Sequence, residues 1–258
     1  MKICGIPIEN IPIDIVFIIK HIRYSGGSFI FKYKDRKTLK FPIRGNLKQA
    51  VTTLTLLKGC FITQEYKQLQ VKRMKVVDIG ANIGDTAIYF TTQGAKHIYA
   101  FEPFPYSFRI AQQNIKLNNM NNQITLINAG CGGKKDKLVV DPWYESDGGS
   151  VLRSFRSGKT INVLPLGEIV KKYRIKKGAL KLDCEGCEYE VILKSSRNIL
   201  RHFDQIILEY HHGYEKLKKY LEACGFKVTA TQGGSAFNPG AQNHNTRLGI
   251  LYAELLNR

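Results

Sequence analysis

The sequence predicts an α/β chain in which a small basic α+β layer precedes a doubly wound, mainly parallel sheet. Three observations carry this. From about residue 74 short apolar strands alternate with segments of helical period. Residues Val76 to Asp85, VVDIGANIGD, read as strand, glycine turn and helix. Residues 1 to 75 hold 15 basic against 4 acidic side chains, more than half of the formal net charge of +18.

The turn at Gly80 organises the rest. Val76, Val77 and Ile79 make a buried strand, Gly80 and Gly84 punctuate the turn, and Ala87, Ile88 and Phe90 recur at helical spacing. Such a turn leaves backbone N–H groups free at a helix N-terminus and lets a ligand approach the main chain. Asp78 at the strand end repels a pyrophosphate and favours a cationic sulfonium bearing an ammonium group, which points to S-adenosylmethionine. A tight structural turn explains the glycines as well, so the second acid decides. The next strand, HIYAFEP, ends in Glu102, 24 positions after Asp78. That is near the spacing of about 20 residues at which strand two presents a carboxylate to ribose hydroxyls. The alternative is a solvated strand-end glutamate.

With both acids in place, the chain resembles the FkbM-type methyltransferases, a family of class I S-adenosylmethionine-dependent enzymes. The matching strings are VVDIGANIGD, YAFEPFPYSF, DGGS, VLPLGEIV, LKLDCEGCEYEVI, IILEYH and LGILYAEL, in family order from about residue 74 onward. The resemblance implies a Rossmann-like sheet of order 3-2-1-4-5-7-6 with the last strand antiparallel. It also implies methyl transfer, usually to a hydroxyl oxygen. It leaves the acceptor open and covers Met1 to Lys72 poorly.

The elements follow in order. Residues 1–72 are expected to be a basic extension packed on a catalytic domain of residues 73–258, since no glycine-serine linker separates them. Ile13 to Ile19 is a helix or a buried strand. Ser28 to Tyr33 and Thr38 to Phe41 form a hairpin, and Asn46 caps a helix through Leu47, Val51, Leu54 and Leu57. In the catalytic domain Tyr106 to Leu117 is a helix and Gln123 to Ala129 the third strand. Cys131 to Val140 and Gly158 to Leu164 are edge or hairpin strands, with a loop between them holding Trp143 and the run Asp147, Gly148, Gly149, Ser150. The resemblance places that loop beside the cofactor turn; a surface loop explains it equally. Leu166 to Tyr173 is an amphipathic helix, Ala179 to Leu182 an apolar fourth strand and Phe203 to Tyr210 strand five. Leu217 to Cys224 continues a helix, Phe226 to Thr231 is strand six, Gly233 to Asn245 a loop, and Arg247 to Leu255 the final strand.

Six scattered cysteines do not form a disulfide framework of the small secreted kind. Cys184 and Cys187 make a CxxC, but with no second CxxC or zinc-finger histidine pair, packing as small hydrophobes is the expected role. No run of 18 apolar residues spans a membrane, and Ile11 to Ile19 lacks the flanks of a secretory signal, so a cytoplasmic protein is expected.

The cofactor site is assigned to Asp78, Gly80, Asn82, Gly84, Asp85 and Glu102. Asn128 takes the place where related enzymes carry an acid for the adenine amino group. Asp183 is the first candidate for orienting or deprotonating the acceptor, with Glu185, Glu209 and His211 as helpers, while Glu188 and Glu190 suit a helix dipole. No metal is assigned; a carboxylate–histidine metal site is a lesser alternative. The extension places Lys32, Lys34, Arg36, Lys37 and Lys40 around one hairpin, interleaved with Phe29, Phe31, Tyr33 and Phe41. Basic side chains among aromatics hold phosphates and stack on unpaired bases, so the acceptor reading leans to structured RNA such as tRNA. O-methylation of a sugar or other small metabolite is the first alternative, and a non-enzymatic polyanion-binding protein the second.

Overall fold

The computed structural model describes residues 2–3, 6–7, 22–33, 37–42, 47–142, 157–231 and 248–256. Ile13 to Ile19, Lys34, Arg36, Asn46, Trp143, the run Asp147 to Ser150, the loop Gly233 to Asn245 and Arg247 lie outside them. The chain divides into two compact units, Met1–Glu65 and Tyr66–Arg258. Tyr66 to Lys72, expected in the extension, therefore belong to the second unit.

The first unit contains the short pair β1 (Lys2–Ile3) and β2 (Ile6–Pro7) and an antiparallel sheet of β3 (Ile22–Ser25), β4 (Ser28–Tyr33) and β5 (Lys37–Pro42). Strand β3 extends the expected hairpin. Gly26 and Gly27, both at positive φ, supply the two-residue turn that joins it to β4. Helix α1 (Leu47–Leu57) follows and runs into a π-helix, Lys58–Thr63. Strand period places Phe29 and Phe31 on one face of β4, opposite Phe41 and Leu39 of β5, and all four are buried. Phe61 completes the cluster, with its ring centroid 5.2 Å from Phe31 and 6.1 Å from Phe41. Of the aromatics interleaved with the lysines, Phe29, Phe31 and Phe41 are thus core residues of this unit, while Tyr33 is half-buried. Lys32 and Lys40 lie on the exposed face.

The second unit is built on a seven-stranded sheet. Its strands are β6 (Lys75–Ile79), β7 (His97–Phe101), β8 (Ile124–Ile127), β12 (Gly178–Leu182), β13 (Phe203–Tyr210), β14 (Phe226–Ala230) and β15 (Gly249–Leu255). The spatial order is β8-β7-β6-β12-β13-β15-β14, which in order of occurrence is 3-2-1-4-5-7-6. Strand β15 runs antiparallel to both neighbours, and the other pairings are parallel. The remaining strands, β9 (Gly130–Gly132), β10 (Asp136–Val140) and β11 (Lys159–Pro165), make a separate three-stranded sheet of order β10-β11-β9. The helices are α2 (Asp85–Thr92), α3 (Pro105–Leu117), α4 (Leu166–Tyr173), α5 (Cys187–Lys194), α6 (Arg197–Leu200) and α7 (Glu215–Ala223). Central strands covered on both faces read as continuous apolar runs, and Val77, Ile79, Leu180, Leu182, Ile206 and Leu208 belong to one buried cluster.

Strands β6 and β12 meet at an unusually tight point. Gly80 has φ +79°, and a Cβ there would stand 1.7 Å from the carbonyl oxygen of Asp183. Asp183 in turn donates its N–H to the carbonyl of Ile79 at 3.0 Å. Gly94 also has positive φ, +84°, but a Cβ there meets only Lys72 Cγ at 3.6 Å. Gly94→Ala therefore costs only the left-handed strain, about 1–2 kcal/mol. Gly80→Ala must also displace the β12 backbone and is expected to lose several-fold more in urea unfolding; equal losses would show that the two strand ends yield freely.

Candidate active site

The glycine turn is closed by its own backbone. Gly80 and Ala81 both donate their N–H to the carbonyl of Phe101 at 3.0 Å, and Gly84 donates to Ala81 at 2.7 Å. Asn82, at φ +44°, donates its N–H to Glu102 Oε2 at 2.9 Å. These four amides are spent inside the protein and are not free for a ligand. Glu102 Oε1 accepts the N–H of Phe104 at 2.8 Å, so one carboxylate at the end of β7 braces both its own exit and the turn after β6. The group is buried, 4% exposed. Burial pushes its pKa up to about 8, against the two backbone donors that favour the ionised form. Each oxygen still has a lone pair beyond the one engaged.

Asp78 is enclosed rather than presented to a ligand. Its Oδ2 accepts the Thr86 hydroxyl at 2.6 Å, and its Oδ1 lies 3.3 Å from Lys181 Nζ. Lys181 stands opposite Asp78 in the β6–β12 register, and both are 0% exposed. The ammonium also donates to the Gly80 carbonyl at 2.8 Å and sits 3.8 Å from Asp183 Oδ2. Burial works against its charge, but Asp78 and then Asp183 outweigh burial and hold the pKa above the ordinary lysine value. Asp183 Oδ2 accepts the Tyr66 hydroxyl at 3.0 Å, and the Lys181 Nζ is 5.6 Å from the Tyr66 ring centroid. Thr86, Asp78, Lys181, Asp183 and Tyr66 thus form one continuous polar chain. The charge of Asp78, expected to meet a sulfonium, is offset within the protein by Lys181.

At the ends of β12 and β13 a second cluster gathers. Glu188, 0% exposed, accepts the N–H of Cys184 on Oε1 and that of Gly186 on Oε2, both at 2.8 Å. It therefore closes the loop ahead of α5, a specific task beyond helix-dipole compensation. Cys184 and Cys187 are joined by a disulfide, which replaces the expected role as separate small hydrophobes. The loop can bring them together because Glu185 and Gly186 both take positive φ, 58° and 117°. Glu185 Oε2 is 3.2 Å from His211 Nε2, and Glu188 Oε1 is 3.6 Å from His211 Nδ1. Burial lowers the His211 pKa, but Glu185 and Glu188 raise it further, to about 11. Asp183, Glu209 and His211 offer ligand atoms that all lie within 4.8 Å of one another, the one such group among the described residues.

Asn128 is engaged chiefly through its amide nitrogen. Its amide nitrogen donates to the carbonyls of Glu102 at 2.9 Å and Pro103 at 3.0 Å, and its oxygen lies 3.4 Å from Lys159 Nζ. Both amide hydrogens are therefore spent on the chain that follows β7, which leaves the oxygen, beyond its Lys159 contact, as the atom able to accept from an adenine amino group. Asp85 is buried at the start of α2. Sequence reasoning missed Lys181, Tyr66 and the capping part of Glu188. A lysine in an otherwise apolar central strand was the available signal, since a buried ammonium demands carboxylates.

A family model described as the methyltransferase FkbM domain matches residues 78–228, more than half the chain. A Methanocaldococcus jannaschii chain assigned as a protein N5-glutamine methyltransferase is 32% identical over 78 residues, 30% of this chain. The chain spans 40% of the length of that curated relative. An rRNA methylase from Streptococcus thermophilus aligns over 80% of this chain and 95% of its own, at 12% identity and a TM-score of 0.45. A ribosomal protein L11 methylase from Lactobacillus delbrueckii subsp. bulgaricus aligns over 87% and 88%, at 17% identity and a TM-score of 0.44. Likenesses of this degree bear on neither substrate nor partner. The match across residues 78–228 shows that the chain belongs to the FkbM methyltransferase family.

Proposed function

We propose that the protein transfers the methyl group of S-adenosylmethionine to a hydroxyl oxygen of a small molecule. The observation that carries the proposal is Glu102. It is a carboxylate fixed by two backbone donors at the end of the second parallel strand, beside the turn that follows the first. In this reading Glu102 takes the ribose hydroxyls, Gly80, Asn82, Gly84 and Asp85 shape the cofactor bed, and Asp78 acts indirectly by anchoring Lys181. Asn128 supports the bed from below by bracing the chain after β7. The sulfonium supplies an activated methyl group, so the protein aligns acceptor, carbon and sulfur and removes a proton. Asp183 orients the acceptor, with Glu185, Glu209 and His211 around it.

Two features favour a small hydroxyl over RNA. Asp183, Glu185, Glu188 and Glu209 crowd the acceptor edge, where a phosphate backbone is repelled. Phe29, Phe31 and Phe41 are core residues, which leaves only the half-buried Tyr33 of the hairpin aromatics to stack on a base. The charge half remains as a second reading, since Lys32 and Lys40 are exposed on a chain of net charge +18. An RNA acceptor predicts binding that falls steeply with salt. Incubation with tritiated S-adenosylmethionine and fractionated cell extract separates the two: label in the small-molecule fraction supports the first reading, and label in RNA replaces it.

Cofactor binding should depend on pH through Glu102. Ribose hydroxyls donate to the ionised carboxylate, so binding expels the proton that burial retains up to about pH 8. Affinity should therefore rise with pH up to about 8 and level off above it. Glu102→Gln should weaken binding by on the order of 1–3 kcal/mol and remove this component. Calorimetry of both proteins at several pH values checks it, the variant correcting for titration of the cofactor's own amine. Wild type and variant with the same pH profile would remove Glu102 from the ribose site.

Asp183→Asn should behave differently. Cofactor affinity should stay near the wild-type value while turnover falls by about 10²-fold or more, as expected for a lost proton acceptor. An equal loss of cofactor affinity in Asp183→Asn and Glu102→Gln would contradict this division of roles.

A further inference from the structure

We propose that Asp183, Glu209 and His211 bind one divalent metal ion of the Mn2+ class at the carboxyl edge of β12 and β13. The inference does not depend on which molecule accepts the methyl group. The parallel register pairs Leu182 with Leu208, so Asp183 and Glu209 follow as neighbours at adjacent strand ends. His211 lies two residues beyond Glu209, just past the end of β13. Ligand atoms of all three lie within 4.8 Å of one another, a separation that side-chain rotation reduces to the spacing set by bonds of about 2.0–2.2 Å.

The histidine supplies a second, independent observation. His211 Nδ1 is shut off from water and has no hydrogen-bond partner. The Glu188 oxygen 3.6 Å away is beyond hydrogen-bonding distance and already accepts the Cys184 N–H. Glu188 is thus an ion-pair contact of Nδ1 rather than a hydrogen-bond partner, and a metal ion on this nitrogen takes the place of its proton. On the other side of the ring, Glu185 Oε2 stands 3.2 Å from Nε2. A carboxylate on one imidazole nitrogen fixes the ring so that the other can ligate a metal. Asp183 is similarly prepared. Tyr66 and Lys181 both address Oδ2, and no donor reaches Oδ1 among the described residues.

Charge and donor type set the kind of ion. Four carboxylates, Asp183, Glu185, Glu188 and Glu209, gather here, and the Lys181 ammonium 3.8 Å from Asp183 is shared with Asp78. A dication relieves that repulsion. One imidazole with two carboxylates suits Mn2+, Fe2+ or Zn2+ better than Ca2+ or Mg2+, which prefer oxygen alone. Three protein ligands leave coordination positions for water or for oxygens of a second molecule.

The test is a titration of the chelator-treated full chain with MnCl2, free Mn2+ being read by electron paramagnetic resonance. One ion per chain is expected. Asp183→Ala and His211→Ala should abolish binding in the same concentration range, and Glu185→Gln should weaken it about 10–100-fold. Glu222→Gln, an exposed carboxylate paired with Lys218, should leave it unchanged. No stoichiometric binding by the wild-type chain would overturn the proposal whatever the variants do, as would binding that survives both alanine substitutions. Calorimetry of the same chelated protein with S-adenosylmethionine keeps the two readings apart. Cofactor binding without any Mn2+ site removes only the metal, and an Mn2+ site without cofactor binding removes only the methyl-transfer reading.

Discussion

A buried ammonium fixes how the two central strands of the second unit meet. Lys181 sits opposite Asp78 in the β6–β12 register with no exposed surface on either residue. Taking two charges out of water is costly, and attraction offsets that cost only with close geometry and further hydrogen bonds. Here the geometry includes a second carboxylate, Asp183, and the Gly80 carbonyl at 2.8 Å. The missing Cβ of Gly80 is what allows the Asp183 carbonyl to stand where a side chain would be. The turn after β6 and the first residue after β12 are therefore one mechanical unit. A shift of either would leave a buried charge without its partner.

The local field at that edge is opposite to the field of the chain. The sequence carries a net charge of +18, yet the ends of β12 and β13 collect Asp183, Glu185, Glu188 and Glu209 around one histidine. Net charge governs what the protein meets at long range, and the site governs what is held. The loop Cys184–Cys187 contributes by confinement: its disulfide, the Glu188 carboxylate on two backbone N–H groups and the positive φ of Glu185 all limit its conformations. Glu185 is thereby aimed at His211. The same carboxylates raise the His211 pKa against burial.

The structure alters the meaning of several residues without moving them. Asn128 and Asp78 lie next to the site in sequence logic, but the Asn128 amide nitrogen is spent on the chain after β7 and the Asp78 carboxylate on Lys181 and Thr86. Phe29, Phe31 and Phe41 alternate with lysines as a nucleic-acid surface would, but strand period sends all three inward, Phe31 and Phe41 onto Phe61. In each case, composition along the chain is compatible with two faces, and only packing chooses one.

By itself the sequence determined the order and type of the core elements, because apolar period and glycine position are local properties. Phe203–Tyr210 and Leu166–Tyr173 fall where the pattern places them, and Gly80, Gly84 and Glu102 stand at the turn and strand end that the motif requires. The strand order came from likeness to the family and agrees with the observed sheet. What tertiary structure alone decided are contacts between residues distant in the chain. Tyr66 reaches Asp183 across 117 positions, and Asp78 and Lys181 pair across two adjacent strands. The lysine in ALKLD and the GG turn before β4 were signals available in the sequence, but neither names its partner. Pairing of charges and direction of side chains depend on which strands become neighbours, and that is settled by burial of the whole sheet rather than by any single segment.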